Sequence, residues 1–211
     1  MGIALTRAAY EAAIAELAAR DPALGRVVAD YGPPPRWKRK QGFATLVLLI
    51  LEQQVSLASA EATFARLEER AGAIEPGAIL ALGEERMKEA GLSRQKARYV
   101  HGLAAAAASG GIDFRKLGRA ADEAVRAALI PLKGIGDWTV DIYLLAALQR
   151  PDVWPARDLA LQEAARAVKG LDARPDEKAM HAIGEAWRPW RSVAARILWH
   201  HYLNTRRRGR A

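Results

Sequence analysis

The apolar side chains of this chain recur with the period of an α-helix, and no segment of useful length alternates with the two-residue period of a β-strand. The clearest helical run covers residues 43–51, where apolar residues follow one another at offsets of three, four, seven and eight. Leu48 and Leu49 make this helix apolar nearly all round, which predicts that it is buried at the centre of the molecule. Alanine, which loses no side-chain entropy in a helix, supplies about a fifth of the residues. The pattern predicts an all-α fold.

Residues that cap or break helices divide the rest of the chain. Ser56 and Ser93 are predicted N-caps, and Gly72 and Gly91 are predicted helix ends. The predicted helices cover approximately residues 7–20, 22–30, 43–51, 57–70, 77–82, 84–90, 94–108, 120–129, 138–148, 158–168, 176–187 and 191–203.

Charge and cysteine content narrow the class of protein. The chain has 32 Lys and Arg against 24 Asp and Glu, and its formal net charge of +8 favours a polyanionic partner. The lack of cysteine excludes disulfides, thiolate catalysis, cysteine-ligated zinc and iron–sulfur clusters. The longest apolar run is far shorter than the roughly 20 residues needed to cross a bilayer, and no signal-peptide pattern opens the chain. We therefore expect a soluble, intracellular protein that does not bind membranes, cytoplasmic and nucleoid-associated if it is prokaryotic.

Two basic stretches are candidates for contact with that partner. The glycine and prolines of residues 32–35 predict an extended loop, which leads into the basic residues 36–40. This stretch is either a solvated linker or a contact with DNA phosphates. The arginines of residues 206–210 predict a disordered tail that adds non-specific affinity for nucleic acid.

The most informative segment is the turn that contains Gly134, Ile135 and Gly136 between two predicted helices. Both glycines can adopt backbone angles forbidden to other residues and leave room for the close approach of another backbone. Ile135 would then lie in the core. The next helix would begin near Asp137 and direct free N–H groups and its positive dipole end outwards, which favours a phosphate oxygen.

The wider pattern of residues 129–140, with a Gly-Ile-Gly turn followed by Thr139 and Val140, resembles the helix-hairpin-helix of DNA-binding proteins. Lys133 stands where that family usually has proline, so the turn loses rigidity but gains a cation beside the expected phosphate. The resemblance also implies that a structural monovalent cation can be held by the hairpin carbonyls.

Asp158 follows a loop rich in proline and tryptophan and opens a predicted helix, where an aspartate is expected as an N-cap. A carboxylate about 20 residues beyond a helix-hairpin-helix resembles the helix-hairpin-helix/Gly-Pro-Asp superfamily of DNA glycosylases. In that family the matching aspartate is catalytic, which makes Asp158 the candidate catalytic residue. Capping and catalysis are compatible, because capping would orient the carboxylate.

Three further stretches resemble the 3-methyladenine DNA glycosylase II branch of this superfamily. They are Ile50–Ser56, the Gly-x-Ser-x-x-Lys-x-x-Tyr pattern of Gly91–Tyr99, and Trp187–Ser192 followed by Trp199. The resemblance covers residues 20–203 and predicts the compact form, without the amino-terminal β domain of some members.

The resemblance assigns roles to individual residues. It implies a substrate pocket lined by Trp138, Trp199 and Gln53. Packing in the core is an equally open interpretation of both tryptophans. The other four tryptophans are taken as structural. The resemblance also implies which residues contact DNA. Gln54 matches the position that fills the gap left by a flipped nucleotide. The other predicted contacts are the hairpin residues Lys133, Gly134, Ile135, Gly136 and Thr139.

Position 138 bears on the mechanism. Bifunctional members of the superfamily carry a lysine nucleophile two residues after the second hairpin glycine, and this chain has Trp138 there. We therefore expect a monofunctional hydrolase without lyase activity. The chemistry that the resemblance implies requires no cofactor.

We predict one glycosylase domain over residues 1–211, with two helical lobes flanking a DNA-binding cleft. The lobes cover approximately residues 38–148 and residues 1–37 plus 149–203, followed by the basic tail 204–211. Glu52, Asp141 and Asp152 are expected to be surface charges. The four histidines have no spacing that indicates a metal site.

Three functions remain open. The first is a monomeric, monofunctional glycosylase that acts on double-stranded DNA containing damaged bases and excises alkylated purines of the 3-methyladenine and 7-methylguanine type. The second is a glycosylase for deaminated or oxidised bases, because pocket shape sets the substrate. The third is a non-catalytic, structure-selective DNA-binding module, against which Asp158 and the paired tryptophans argue.

Overall fold

The computed structural model describes residues 2–208, with side chains as far as residue 206. Within this range it contains twelve α-helices and no β-strand, which confirms the all-α prediction. The helices are α1 Arg7–Arg20, α2 Pro22–Tyr31, α3 Phe43–Glu52, α4 Leu57–Ala71, α5 Pro76–Glu89, α6 Arg94–Ala108, α7 Phe114–Arg119, α8 Asp122–Leu129, α9 Asp137–Ile142, α10 Leu159–Lys169, α11 Glu177–Glu185 and α12 Arg191–Arg208.

Most predicted boundaries are confirmed, and the differences have local causes. The helix α7 was not predicted, although the side chain of Asp113 caps it. The predicted helix over 138–148 is α9 followed by a π-helical turn, Tyr143–Ala147. The two helices predicted over residues 77–82 and 84–90 are confirmed within α5, because Gly83, with φ of 74°, interrupts its helical backbone between them. Helix α12 continues through Arg208, so the predicted disordered tail is wrong as far as that residue; residues 209–211 lie outside the description.

The described chain divides into two units. The first contains residue 2 and residues 39–148, and the second contains residues 3–38 and 149–208. The first unit is built around α3, which packs against α4, α6, α9 and the π-helical turn. Leu46, Val47, Leu49 and Ile50 of α3 are fully buried, as the sequence predicts for this helix.

The second unit packs α12 against α1, α2 and α10. Two of its tryptophans contribute to structure as expected, because the buried indoles of Trp154 and Trp187 meet edge to face and donate hydrogen bonds inside the unit. Trp154 donates to the carbonyl oxygen of Met180 at 2.8 Å, and Trp187 donates to Oδ2 of Asp21 at 2.8 Å.

Two carboxylates that were predicted to be surface charges are buried. Glu52 forms two hydrogen bonds with the guanidinium of Arg39, at 2.7 and 2.9 Å, and Asp141 pairs with Arg126. Burying a carboxylate is costly unless a cation pairs with it, and sequence spacing does not reveal partners 13 or 15 residues away. None of the helices described over residues 2–208 has the combined length and apolar character needed to cross a bilayer.

Candidate active site

The Gly-Ile-Gly turn joins α8 to α9 in the first unit. The N–H of Ile135 donates to the carbonyl of Leu132 at 3.0 Å, and the Ile135 side chain is 4% exposed, so it lies in the core as predicted. Gly134 has φ of 89°, and a Cβ at this position would stand 2.2 Å from Cδ2 of Tyr99. Both the backbone conformation and the tyrosine ring therefore require glycine at 134.

Gly136 differs from Gly134 in its backbone conformation. Its φ of −105° and ψ of −179° are accessible to any residue, and no heavy atom would lie within 4 Å of an added Cβ. The conformational freedom of glycine is therefore used at 134 and not at 136. Gly136 is the N-cap of α9, where it is exposed and has no side chain that could cap the helix or cover the turn.

The exposed surface of the turn carries positive charge. Lys133 is exposed, and it lines an open cavity of about 430 Å³ together with Arg98 of α6. Arg98 is exposed and was not among the residues predicted to contact DNA. Its position four residues after Arg94 could have indicated a basic face of α6, but nothing in the sequence places that face beside the turn.

Gln53 and Thr139 brace the turn from inside the first unit. The side-chain amide of Gln53 donates to the carbonyl of Gly134 at 2.8 Å and to Oγ1 of Thr139 at 3.1 Å. Thr139 is 1% exposed, so its hydroxyl faces the protein. The predicted pocket role of Gln53 and DNA contact of Thr139 stay predictions, and their side chains meet each other and the turn.

Gln54 lies at the end of α3 in an unusual conformation. Its φ of 59° falls in the left-handed region, which is uncommon for residues other than glycine, and its side chain is exposed. Ser56 then caps α4 by accepting a hydrogen bond from the N–H of Ser59 at 3.2 Å. Strained backbone of this kind accumulates at functional sites.

Asp158 lies in the second unit as the N-cap of α10. Its Oδ1 accepts hydrogen bonds from the N–H of Leu161 at 2.7 Å and from the indole Nε1 of Trp199 at 3.0 Å. Both Asp158 and Trp199 are half-buried. The carboxylate is thus held by a helix start and by an indole from α12, 41 residues further along the chain.

The Trp187–Ser192 stretch anchors the loop that leads to Asp158. The guanidinium of Arg191 binds the Asp152 carboxylate at 2.8 and 3.0 Å. The hydroxyl of Ser192 accepts from the N–H of Val153 at 2.9 Å and donates to its carbonyl at 3.1 Å. This part of the resemblance therefore has a structural explanation, because it fixes the backbone before the candidate catalytic residue.

The remaining predicted residues have mixed environments. Trp138 is half-buried on α9. In the basic stretch, Arg36 donates to the carbonyl of Leu5 at 2.6 Å and Arg39 pairs with Glu52, whereas Lys38 and Lys40 are exposed. The arginines of this stretch are therefore engaged in the fold, and only its lysines resemble a solvated linker.

No group of three or more His, Asp or Glu side chains in the described part of the chain is arranged to hold a metal ion. His200 meets the carbonyl of Tyr31 through Nε2 at 3.1 Å.

Comparison with known proteins identifies relatives of this chain. The family model described as "HhH-GPD superfamily base excision DNA repair protein" matches residues 47–189. The DNA-3-methyladenine glycosylase 1 of Schizosaccharomyces pombe is 29% identical over 180 residues, which cover 83% of this chain and 79% of that protein. The chain spans less than half of two Bacillus subtilis relatives, 44% of one and 35% of the other.

Solved structures give the same result. The S. pombe 3-methyladenine DNA glycosylase in complex with abasic DNA matches with a TM-score of 0.81 and 29% identity, covering 89% of this chain and 94% of that one. A DNA-3-methyladenine glycosidase from Bacillus halodurans matches with a TM-score of 0.75 and 29% identity, covering 90% of this chain and 89% of that one.

Proposed function

Because the chain belongs to the HhH-GPD superfamily of base excision DNA repair proteins, we propose that it is a monofunctional DNA glycosylase for alkylated purines. It would hydrolyse the N-glycosidic bond of 3-methyladenine and 7-methylguanine type lesions in double-stranded DNA and leave an abasic site. The names of its relatives support this substrate class. The observation that carries the proposal is the Asp158 carboxylate, held through Oδ1 by the start of α10 and by the Trp199 indole.

In this proposal Asp158 supplies the negative charge that the reaction needs. As the alkylated base leaves, positive charge develops on the sugar, and a fixed carboxylate stabilises that transition state. The same group orients or deprotonates the attacking water. Its two hydrogen bonds to Oδ1 keep the carboxylate oriented before the substrate arrives, so little reorganisation is required during the reaction.

Trp138 of the first unit and Trp199 of the second are each proposed to contact the alkylated base. Alkylation of a ring nitrogen makes the purine cationic, and an indole face attracts a cation by about 0.5–2 kcal/mol, depending on desolvation. The half-buried state of both indoles is compatible with such a contact. For Trp199 the indole N–H binds Asp158, so this residue would serve both the base and the carboxylate.

The hairpin is proposed to bind the DNA backbone while the lesion is flipped out of the duplex. Gly136 leaves the start of α9 uncovered, and exposed Lys133 adds positive charge beside it. These features suit a phosphate and carry no base specificity. Gln54, exposed at the end of α3, would fill the gap that the flipped nucleotide leaves.

The first unit offers no amine at position 138 for covalent chemistry, which supports hydrolysis without strand cleavage. A monovalent cation at the hairpin stays a prediction. The carbonyls of Leu132, Gly134 and Gly136 each accept one hydrogen bond, and each has a second lone pair that could bind a cation. No step of the proposed reaction depends on it. We propose that the protein acts on DNA as a monomer.

The test uses duplexes that contain methylated, deaminated or oxidised bases, with chromatography of the released base. We expect wild-type protein to release methylated purines, and D158N to lose at least about 100-fold in rate because the negative charge is removed. Asparagine caps helices as well as aspartate does, so D158N should keep its melting temperature and its affinity for DNA with an abasic-site analogue.

Each other outcome has a definite meaning. Release of uracil or oxidised bases in place of methylated ones would replace the substrate class. Binding without any base release would favour the non-catalytic module. Wild-type rates in D158N would remove Asp158 from the catalytic role, and strand breaks without heat or alkali would contradict the monofunctional proposal.

A further inference from the structure

Lys96 of α6 is bound to the segment that carries Gln54. Its ammonium Nζ donates to the carbonyl of Leu51 at 2.7 Å and to the carbonyl of Gln53 at 2.8 Å. These carbonyls stand at the end of α3, where the last carbonyls of a helix lack partners within it and the helix dipole is negative. A cation at this point donates hydrogen bonds to the carbonyls and is attracted by the negative end of the dipole.

The residue after these carbonyls needs such support. Gln54 has φ of 59°, and the left-handed region is unfavourable for a residue other than glycine. Such a conformation persists only where surrounding contacts determine it. The hydrogen bond from Lys96 fixes the peptide group that joins Gln53 to Gln54.

The same segment is also held through a side chain. Gln53 donates its amide to the carbonyl of Gly134 and to the hydroxyl of Thr139. Lys96 is itself set in place, because Ser93 caps α6 by accepting from the N–H of Lys96 at 3.2 Å. Burial lowers the pKa of the Lys96 ammonium, because burial removes part of the water that stabilises its charge. Lys96 is half-buried, and its ammonium is held at this segment by the two carbonyls.

We propose that Lys96 is a positioning residue that holds Gln54 in the conformation needed to enter DNA. The inference rests on the proposed function, in which Gln54 fills the gap left by a flipped nucleotide. Loss of the Lys96 ammonium would free the backbone of residues 51–54 and slow flipping and excision. Binding of undamaged DNA would change little, because that binding depends on the hairpin.

The absence of cysteine from the chain allows a direct test. In the K96C variant the single thiol can be aminoethylated, which restores an ammonium on a side chain of nearly the length of lysine, or carbamidomethylated, which adds a neutral group. Lys116, with a side chain 87% exposed, provides the matched control K116C. Single-turnover excision, the fluorescence of a base analogue beside the lesion, and melting temperature are measured for each form.

We expect K96C to excise about 10–100-fold more slowly than wild type, since a misplaced group can cost about 100-fold in rate. Aminoethylation should restore most of the rate and the flipping signal, and carbamidomethylation should not. K116C should behave as wild type in all three forms. If Lys96 only stabilised the fold, K96C would have a lower melting temperature, and its binding of undamaged DNA would weaken along with its excision rate.

The outcomes separate the inference from the function on which it rests. Wild-type protein that releases no alkylated base refutes the proposed function and the inference with it. Normal excision by unmodified K96C, or equal recovery with the charged and neutral reagents, refutes the inference alone. If K96C does not fold, K96R and K96Q repeat the comparison: arginine keeps a cationic donor for both carbonyls, and equal rates of excision in these two variants would overturn the inference.

Discussion

Replacement of Gly134 by alanine tests whether the hairpin is shaped by the close approach of Tyr99. A Cβ at 134 would lie 2.2 Å from Cδ2 of the tyrosine ring and 2.3 Å from Cγ, far inside van der Waals contact. The backbone at 134 also has φ of 89°, which an alanine rarely adopts. The substitution therefore meets two independent obstacles, one in the backbone and one in the packing.

The two costs can be estimated separately. The left-handed backbone costs alanine about 1–2 kcal/mol, and overpacking a filled site costs about 1–3 kcal/mol. Their sum predicts that G134A loses about 2–5 kcal/mol of unfolding free energy. For a chain of this length each kcal/mol lowers the melting temperature by about 2–4 °C, so we expect a fall of about 4–20 °C.

The assay is thermal and urea unfolding, followed by binding to a duplex with an abasic-site analogue. G136A is the matched control, because its backbone is ordinary and its Cβ would meet no heavy atom within 4 Å. We expect G136A to keep the wild-type melting temperature but to bind DNA more weakly, because its methyl group covers the surface proposed to meet the phosphate. The double variant Y99A/G134A separates the packing cost from the backbone cost.

If the argument holds, G134A should cost less in the Y99A background than in wild type, by about 1–3 kcal/mol of coupling between residues in contact. Additive effects of the two substitutions would show that the ring does not set the limit at 134. A wild-type melting temperature for G134A would refute the reasoning about both obstacles.

Two further substitutions test the second unit. W199F keeps an aromatic ring but removes the hydrogen-bond donor to Oδ1 of Asp158. We expect the single-turnover rate of excision to fall about tenfold, equivalent to about 1.4 kcal/mol. An unchanged rate would show that the indole N–H does not help the carboxylate. Asp21 has its pKa raised by burial, but hydrogen bonds from Lys169 and Trp187 outweigh this and hold the pKa below its usual value. Because the folded pKa is depressed, ionised Asp21 stabilises the folded protein above the unfolded pKa of about 3.9. This stabilisation is lost as pH falls through the lower folded pKa. In urea unfolding, D21N should therefore have a free energy of unfolding about 1–3 kcal/mol lower than wild type at pH 7. This difference should shrink towards pH 3. A difference that stays constant with pH would contradict the pairing of Asp21 with Lys169 and Trp187.

The parts of the fold that follow from sequence are those set by local signals. Period, caps and glycine punctuation predict the helices, since each involves residues within one or two turns. Asp158 was predicted as an N-cap because aspartate at a helix start accepts hydrogen bonds from nearby N–H groups, and its bond to Leu161 is such a contact. The burial of α3 follows from its apolar surface on all sides.

The parts that sequence did not predict depend on partners distant in the chain. The ion pair of Glu52 with Arg39 makes a buried group from what looks like an exposed charge. The approach of Tyr99 to Gly134 distinguishes two glycines that have the same local pattern. Lys96 was singled out only as part of a motif, because nothing local indicates that its ammonium reaches the end of α3.

The contact between Asp158 and Trp199 has a consequence for protein synthesis. The indole partner is translated 41 residues after the aspartate, and Arg191, which anchors the preceding loop, follows its partner Asp152 by 39 residues. A nascent chain that has reached α10 already contains the Gly-Ile-Gly turn but has neither of these supports. Ribosome-stalled chains of increasing length should therefore bind DNA at a shorter length than the length at which they first release a base.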